Sequence, residues 1–241
     1  KIKEELSTSI QQAKDLQREM NEMNKKLIDK KTLNFDDIKK MKDLVDKQKE
    51  LQNQVEQLEK ENKQNFEKQN EFKNPDEQLL EKHKQLEELM KNIMTEEMKE
   101  KLKELEKLLQ QMDKEKTQDA LEKMKLDAKD MEKELDRTLE AFKKMEVEQK
   151  LDDAIKNLDK LAEEQKKLAE KTENKQGDNA ELKKEQEELN KKFDDLKKEM
   201  DDLEKKNAEL EDPMKMPDTQ KQEEDIKKDM EESGEQLNQK Q

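Results

Sequence analysis

The sequence predicts an all-α protein of long helices, packed as antiparallel coiled-coil hairpins or as an elongated, loose helical bundle. Composition supplies the first observation. Half of the residues are charged and 28% are hydrophobic, with no Trp or Tyr and five Phe. A globular domain usually draws on about 45–50% apolar residues, and aromatic side chains bury the most area per residue. This chain therefore lacks the material for a wide core but has enough for narrow seams between helices. The second observation is that the apolar residues recur at steps of three and four, which separates a helical assembly from a disordered polar tract. The third is that Lys, Glu, Gln, Leu and Met dominate, all of them good helix formers.

The first helix is expected from Lys1 to about Lys31, with Ile2, Leu6, Ile10, Ala13, Leu16, Met20, Met23 and Leu27 on one stripe. Thr32, Leu33 and Asn34 form a break. Asn34 suits the cap of the next helix, whose first turn holds Asp36 and Asp37 where the helix dipole favours negative charge. That helix, Phe35 to about Phe72, carries Ile38, Met41, Val45, Leu51, Val55, Leu58 and Phe66. Its seam turns polar at Asn62 and Gln69. Asn74, Pro75 and Glu77 then make a capping-box-like start, opening a helix marked by Leu79, Leu86, Met90 and Ile93. Thr95 either restarts or continues it, and Met98, Leu102, Leu105, Leu109 and Met112 step onward.

Thr117 and Asp127 are read as two further caps, bracketing a short helix with Ala120, Leu121 and Met124. A long helix follows from Ala128 to about Thr172. Its stripe is Met131, Leu135, Thr138, Phe142 and Met145, then Leu151, Ile155, Leu158, Ala162, Gln165 and Ala169. Residues 174–179 form a turn, helix resumes by Ala180 and ends near Glu211, and Pro213 and Pro217 frame a linker. A last short helix bears Ile226 and Met230 and is expected to stop at Ser233 and Gly234, leaving a frayed tail. The expected segments are 1–73, a helical hairpin; 74–173, a broken helical segment; 174–211, a leucine-heptad helix; and 212–241, linker, short helix and tail.

One motif is sharp. Leu182, Leu189, Leu196, Leu203 and Leu210 stand seven apart, with Gln186, Phe193, Met200 and Asn207 at the alternate seam position. Leucine at every d position marks a coiled-coil interaction seam, about 48 Å long at about 1.5 Å per residue. In a parallel homodimer Lys192 would meet Lys197 and Glu199 would meet Glu204. An antiparallel pairing instead sets Glu185 against Lys206, Lys192 against Glu199 and Lys183 against Glu211. The flanking charges thus favour antiparallel packing, either between two chains or by the helix ending near Thr172 folding back. Asn207 has two readings: a buried amide that selects register or oligomeric state, or a wet polar position near a helix end.

No catalytic, cofactor-binding or metal-ligating residues are expected, and the chain is read as not an enzyme. His83 is the sole histidine and lies on the Leu79–Leu86 stripe, where a seam-edge role suits it; metal centres need several converging ligands. The glycines are isolated, so there is no phosphate loop. No Ser or Thr has a His partner for nucleophilic catalysis. The net charge of −14, with the two signs interleaved, argues against nucleic acid, which asks for clustered Lys and Arg. No apolar run reaches membrane-span length. The chain begins at Lys1 rather than Met, so it is expected to be a processed product or a piece of a longer chain with room for an anchor elsewhere. Met214 and Met216, between two prolines, are candidates for an exposed docking segment. The other methionines are read chiefly as seam packing, with an adaptable client-binding surface as the alternative.

Two stretches carry a resemblance. From Asn65 to Met90 the chain reads Asn-Phe-Glu-Lys-Gln-Asn-Glu-Phe-Lys-Asn-Pro-Asp-Glu-Gln-Leu-Leu-Glu-Lys-His-Lys-Gln-Leu-Glu-Glu-Leu-Met. Between Met131 and Thr172 it contains Glu-Leu-Asp-Arg-Thr-Leu-Glu and Lys-Leu-Ala-Glu-Glu-Gln-Lys-Lys-Leu-Ala-Glu. Both are similar to the coiled-coil part of a family of very large, membrane-anchored envelope proteins of Bacteroidota, which has amino-terminal membrane helices and no assigned function. The resemblance implies a membrane-tethered, periplasmic setting and brings no catalytic residues. The functional expectation is a non-catalytic scaffold that contacts protein partners, or itself, through helical seams. The alternatives are a holdase with helical arms and the arm region of a larger ATPase or transport machine.

Overall fold

The computed structural model describes residues 1–72, 77–174 and 176–239. Among these the protein is all-α, without a strand: α1 (Ile2–Ile28), α2 (Phe35–Phe72), α3 (Glu77–Ile93), α4 (Glu96–Gln111), α5 (Lys114–Glu173), α6 (Asn179–Ala208) and α7 (Gln220–Gln239). They divide into two compact units, Lys1–Phe142 and Lys143–Gln241. The boundary falls within α5, so residues 114–142 belong to the first unit and 143–173 to the second.

In the first unit the ion pairs fix the directions of the helices. Lys1 pairs with Glu61 and Glu19 with Lys47, so α1 and α2 run antiparallel. Glu56 pairs with Lys99 and Lys49 with Glu106, so α4 runs back along α2. Asp127 meets Lys101, and Glu132 accepts from Gln17 beside Lys14, which sets α5 antiparallel to both α4 and α1. The result is an up-down-up-down four-helix bundle in which α3 and α4 together make the third rod. Two apolar clusters fill it. One gathers Met20, Leu27, Met41, Leu105, Leu109 and Leu121, the other Leu6, Val55, Met90, Ile93, Met131 and Leu135.

The caps explain several boundaries. Asn34 Oδ1 accepts from the Asp37 N–H at 2.8 Å, and Asp37 returns the bond at 3.1 Å, a reciprocal cap at the foot of α2. Burial opposes ionisation of Asp37, but the Lys30 ammonium and the Asn34 amide outweigh it and hold the carboxyl below its ordinary range. Thr95 restarts the chain as α4 by accepting from the Met98 N–H. The expected start at Asn74, Pro75 and Asp76 lies outside the described residues.

Five expected boundaries are corrected. The first helix ends at Ile28 rather than near Lys31, and α6 ends at Ala208 rather than near Glu211. Thr117 does not cap: Met112 closes α4 in the left-handed region (φ 55°), and Asp113 begins α5 by accepting from the Lys116 N–H. No break occurs at Asp127, whose carboxylate reaches across to Lys101 at 3.0 Å while Leu121, Met124, Ala128 and Met131 stay in the core. Cap propensity at these residues yields to packing, because burying each such side chain is worth about 1.5–3 kcal/mol. Nor does α7 stop at Gly234. An interior glycine costs about 1 kcal/mol, less than the burial of Leu237 returns one heptad beyond Met230.

In the second unit Glu146 pairs with Lys206, Glu164 with Lys192 and Lys171 with Glu185, so α6 folds back antiparallel on α5. Gly177, at φ +90°, turns the corner in a conformation side chains rarely adopt. Asp178 then caps α6 through the Glu181 N–H. Asp194 with Lys227 and Lys197 with Glu223 set α7 antiparallel to α6.

Candidate interaction surfaces

The leucine heptad lies inside its own unit. Leu182, Leu189, Phe193, Leu196, Leu203, Asn207 and Leu210 are buried and Met200 half-buried. Leu182, Leu189 and Phe193 meet Leu161 and Leu168 of α5 and Met230 and Leu237 of α7. Leu203 and Leu210 meet Val147, with Leu151 and Met200 packed alongside. Of the charges that disfavoured a parallel homodimer, Lys192 is paired with Glu164 of α5 and Lys197 with Glu223 of α7. Beside Lys206, the Glu146 carboxylate holds the ammonium above the usual lysine range.

Two polar positions on this seam have defined work. Gln186, 1% exposed, exchanges hydrogen bonds with Gln165 at 2.8 and 3.0 Å, an amide pair that is satisfied only in one register of α5 on α6. Asn207 is buried rather than wet, and what its side chain holds is the linker. Its amide donates to the Met214 carbonyl at 2.8 Å and accepts from the Met214 N–H at 2.9 Å, clasping the linker as a strand neighbour would. The linker methionines are correspondingly not free: Met214 and Met216 are half-buried against Val147, Leu203 and Leu210. Nothing in the local sequence signals that clasp, because its two ends meet only once the linker folds back.

His83 is buried at 3% exposure, stacked on Phe66 with ring centroids 3.5 Å apart. Burial lowers its pKa from the ordinary value of 6.5, and Glu87 opposes this. Its Nε2 is buried with no hydrogen-bond partner. Among the described residues no group of His, Asp and Glu could hold a metal ion, and no helix is long and apolar enough to cross a membrane.

No family model, curated protein or solved structure matches the chain. The surfaces therefore carry the functional argument. Apart from the half-exposed Met112, the methionines are buried or half-buried within the helical packing. Apart from Leu126 on α5 of the first unit, the large apolar side chains that face solvent fall in two settings. Ile28 (61%), Phe35 (77%) and Met112 (56%) sit at the α1–α2 and α4–α5 turns, which share one end of the four-helix bundle. Ile155 (52%) and Leu158 (41%) lie along α5 in the second unit, and Ile226 (38%) lies on α7.

The expected stripe of the second half of α5 is corrected here. Val147, Ala154, Leu161 and Leu168, seven apart, enter the seam, whereas Ile155, Leu158, Ala162 and Ala169 stay exposed. The signal was present in the sequence as adjacent pairs, Ala154-Ile155, Leu161-Ala162 and Leu168-Ala169. These make two parallel heptad tracks and an apolar sector wider than one partner helix covers.

Proposed function

We propose that this chain is a non-catalytic scaffold whose helical bundles hold protein partners within a larger assembly. The observation that carries this reading is the exposure of large apolar side chains on helices otherwise clothed in charge. Phe35, one of only five aromatic residues, is 77% exposed, although the bundle beneath it has a closed core. Clustered exposed apolar residues ringed by polar ones mark contact sites. An envelope location rests on the family resemblance alone. A holdase reading built on a methionine surface is less well supported, because the methionines serve as packing.

The test is gentle cross-linking in the native cells, followed by purification and mass analysis of what remains attached. One or two partners at fixed stoichiometry support a scaffold. A broad population of unrelated, partly unfolded proteins overturns that reading in favour of a holdase.

A further inference from the structure

The second unit holds three helical rods, the second half of α5, α6 and α7. α5 and α7 both pack on α6 and run parallel to each other. Between them lies a cavity of about 710 Å³, walled by Ala169 and Thr172 of α5 and by Ser233 and Leu237 of α7, with Leu182 and Gln186 of α6 beneath. By heptad steps away from this cavity the same helix faces carry the exposed Ala162 and Ile155 on α5, back from Ala169, and the exposed Ile226 on α7, back from Ser233. The pairs Glu164–Lys192 and Asp194–Lys227 bring Ile226 abreast of the turn holding Leu158 and Ala162. The apolar lining of this groove therefore remains exposed where a fourth helix would cover it.

The charge of the lips identifies the occupant. Asp159, Glu163, Glu170 and Glu173 border the stripe on α5, and Asp225 and Asp229 border it on α7. All six are exposed, and none has an ion-pair partner among the described residues. Two cations border the same stripe, Lys166 and Lys156, the latter one heptad before Glu163 and paired with Asp152, so the lips remain acidic on balance. A second copy of this chain, itself at −14, would bring the same acidic lips into opposition, and an anionic lipid surface would be repelled.

We infer that this groove binds a basic amphipathic helix of a partner protein, lying antiparallel to α5 and α7 and completing an up-down-up-down bundle. The span from Ile155 to Thr172 accommodates about 18 helical residues, or about 26 Å. The leucine or isoleucine stripe of that helix would fill the groove, with Lys or Arg on both flanks meeting the carboxylates. This assignment deepens the scaffold reading and rests on it.

The experiment uses the full chain and two fluorescein-labelled helical peptides of about 20 residues with identical leucine stripes, one flanked by lysine and one by glutamate. Anisotropy should show saturable binding of the lysine peptide, at least about tenfold tighter than the glutamate peptide, and weakening at least about tenfold between low and high salt. The Leu158→Glu/Ile226→Glu variant changes exposed positions only. It should keep the wild-type circular dichroism and lose the binding, while Leu126→Glu, altering a leucine 52% exposed in the first unit, should bind as wild type does. Equal binding of the two peptides, no binding of the lysine peptide, or indifference to the double variant overturns the assignment. A dimer in sedimentation equilibrium that the double variant dissolves also overturns it, by placing a second copy in the groove. If discrete partners still co-purify when the peptide fails, only the groove assignment falls; if no discrete partner co-purifies, the scaffold reading falls with it.

Discussion

Replacing Asn207 with alanine strips the hydrogen-bond partner from both the N–H and the carbonyl of Met214 at once. The two bonds, 2.8 Å to the carbonyl and 2.9 Å from the N–H, contribute about 1 kcal/mol each in net terms. Asn207 is 8% exposed, so water replaces it only in part. The released linker also loosens Met214 and Met216 from Val147, Leu203 and Leu210, and partial loss of that apolar cover adds about 1 kcal/mol. A total of about 2–3 kcal/mol corresponds to a rise of about thirty- to one-hundred-and-fiftyfold in local opening. Native-state hydrogen exchange read at the Met214 amide measures this directly. The exchange rate should rise by that factor in Asn207→Ala. Asn207→Asp, which keeps the acceptor for the N–H but sets a carboxylate against the carbonyl, should also exchange faster than wild type. Unchanged exchange at Met214 in the alanine variant would refute the clasp and return Asn207 to the role of an ordinary seam residue.

Three further outcomes are expected. Leu105→Ala, at a fully buried position of the first unit, should destabilise it by about 2–5 kcal/mol in urea titration; a loss below about 1 kcal/mol would contradict the packed core. The two glycines should respond with opposite signs. Gly177→Ala forces a side chain into φ +90° and should lower the melting temperature. At Gly234, inside α7, an added Cβ would meet only Gln186 Cγ at 3.7 Å, so Gly234→Ala should stabilise by about 0.5–1 kcal/mol. For His83, a folded pKa depressed below 6.5 leaves stability intact above that value. Stability is then lost as pH falls through it, since the unfolded chain takes up the proton more readily. Denaturation of wild type and His83→Leu from pH 8 to pH 5 should show the steeper decline in wild type, and parallel slopes would contradict the buried neutral imidazole.

Much of the architecture was already legible in residue order. A 3.6-residue period repeated over hundreds of ångströms of chain admits only helices, and a helix face one or two side chains wide admits only seams. The Asn34 cap, the Thr95 restart, the glycine turn before α6 and the antiparallel sense of the leucine heptad follow from local chemistry and charge order, which act over a few residues. Tertiary structure decided what depends on partners distant in sequence. Thr117 and Asp127 have the chemistry of caps, yet the helix runs through them because the neighbouring rods bury Leu121 and Met131. Gly234 has the chemistry of a stop, yet Leu237 beyond it finds the α6 core. The two heptad tracks of α5 are equally apolar in sequence, and only the seating of α6 selects Ala154, Leu161 and Leu168 for the core. The same choice leaves Ile155 and Leu158 at the surface, because one antiparallel neighbour covers only part of an apolar sector that wide.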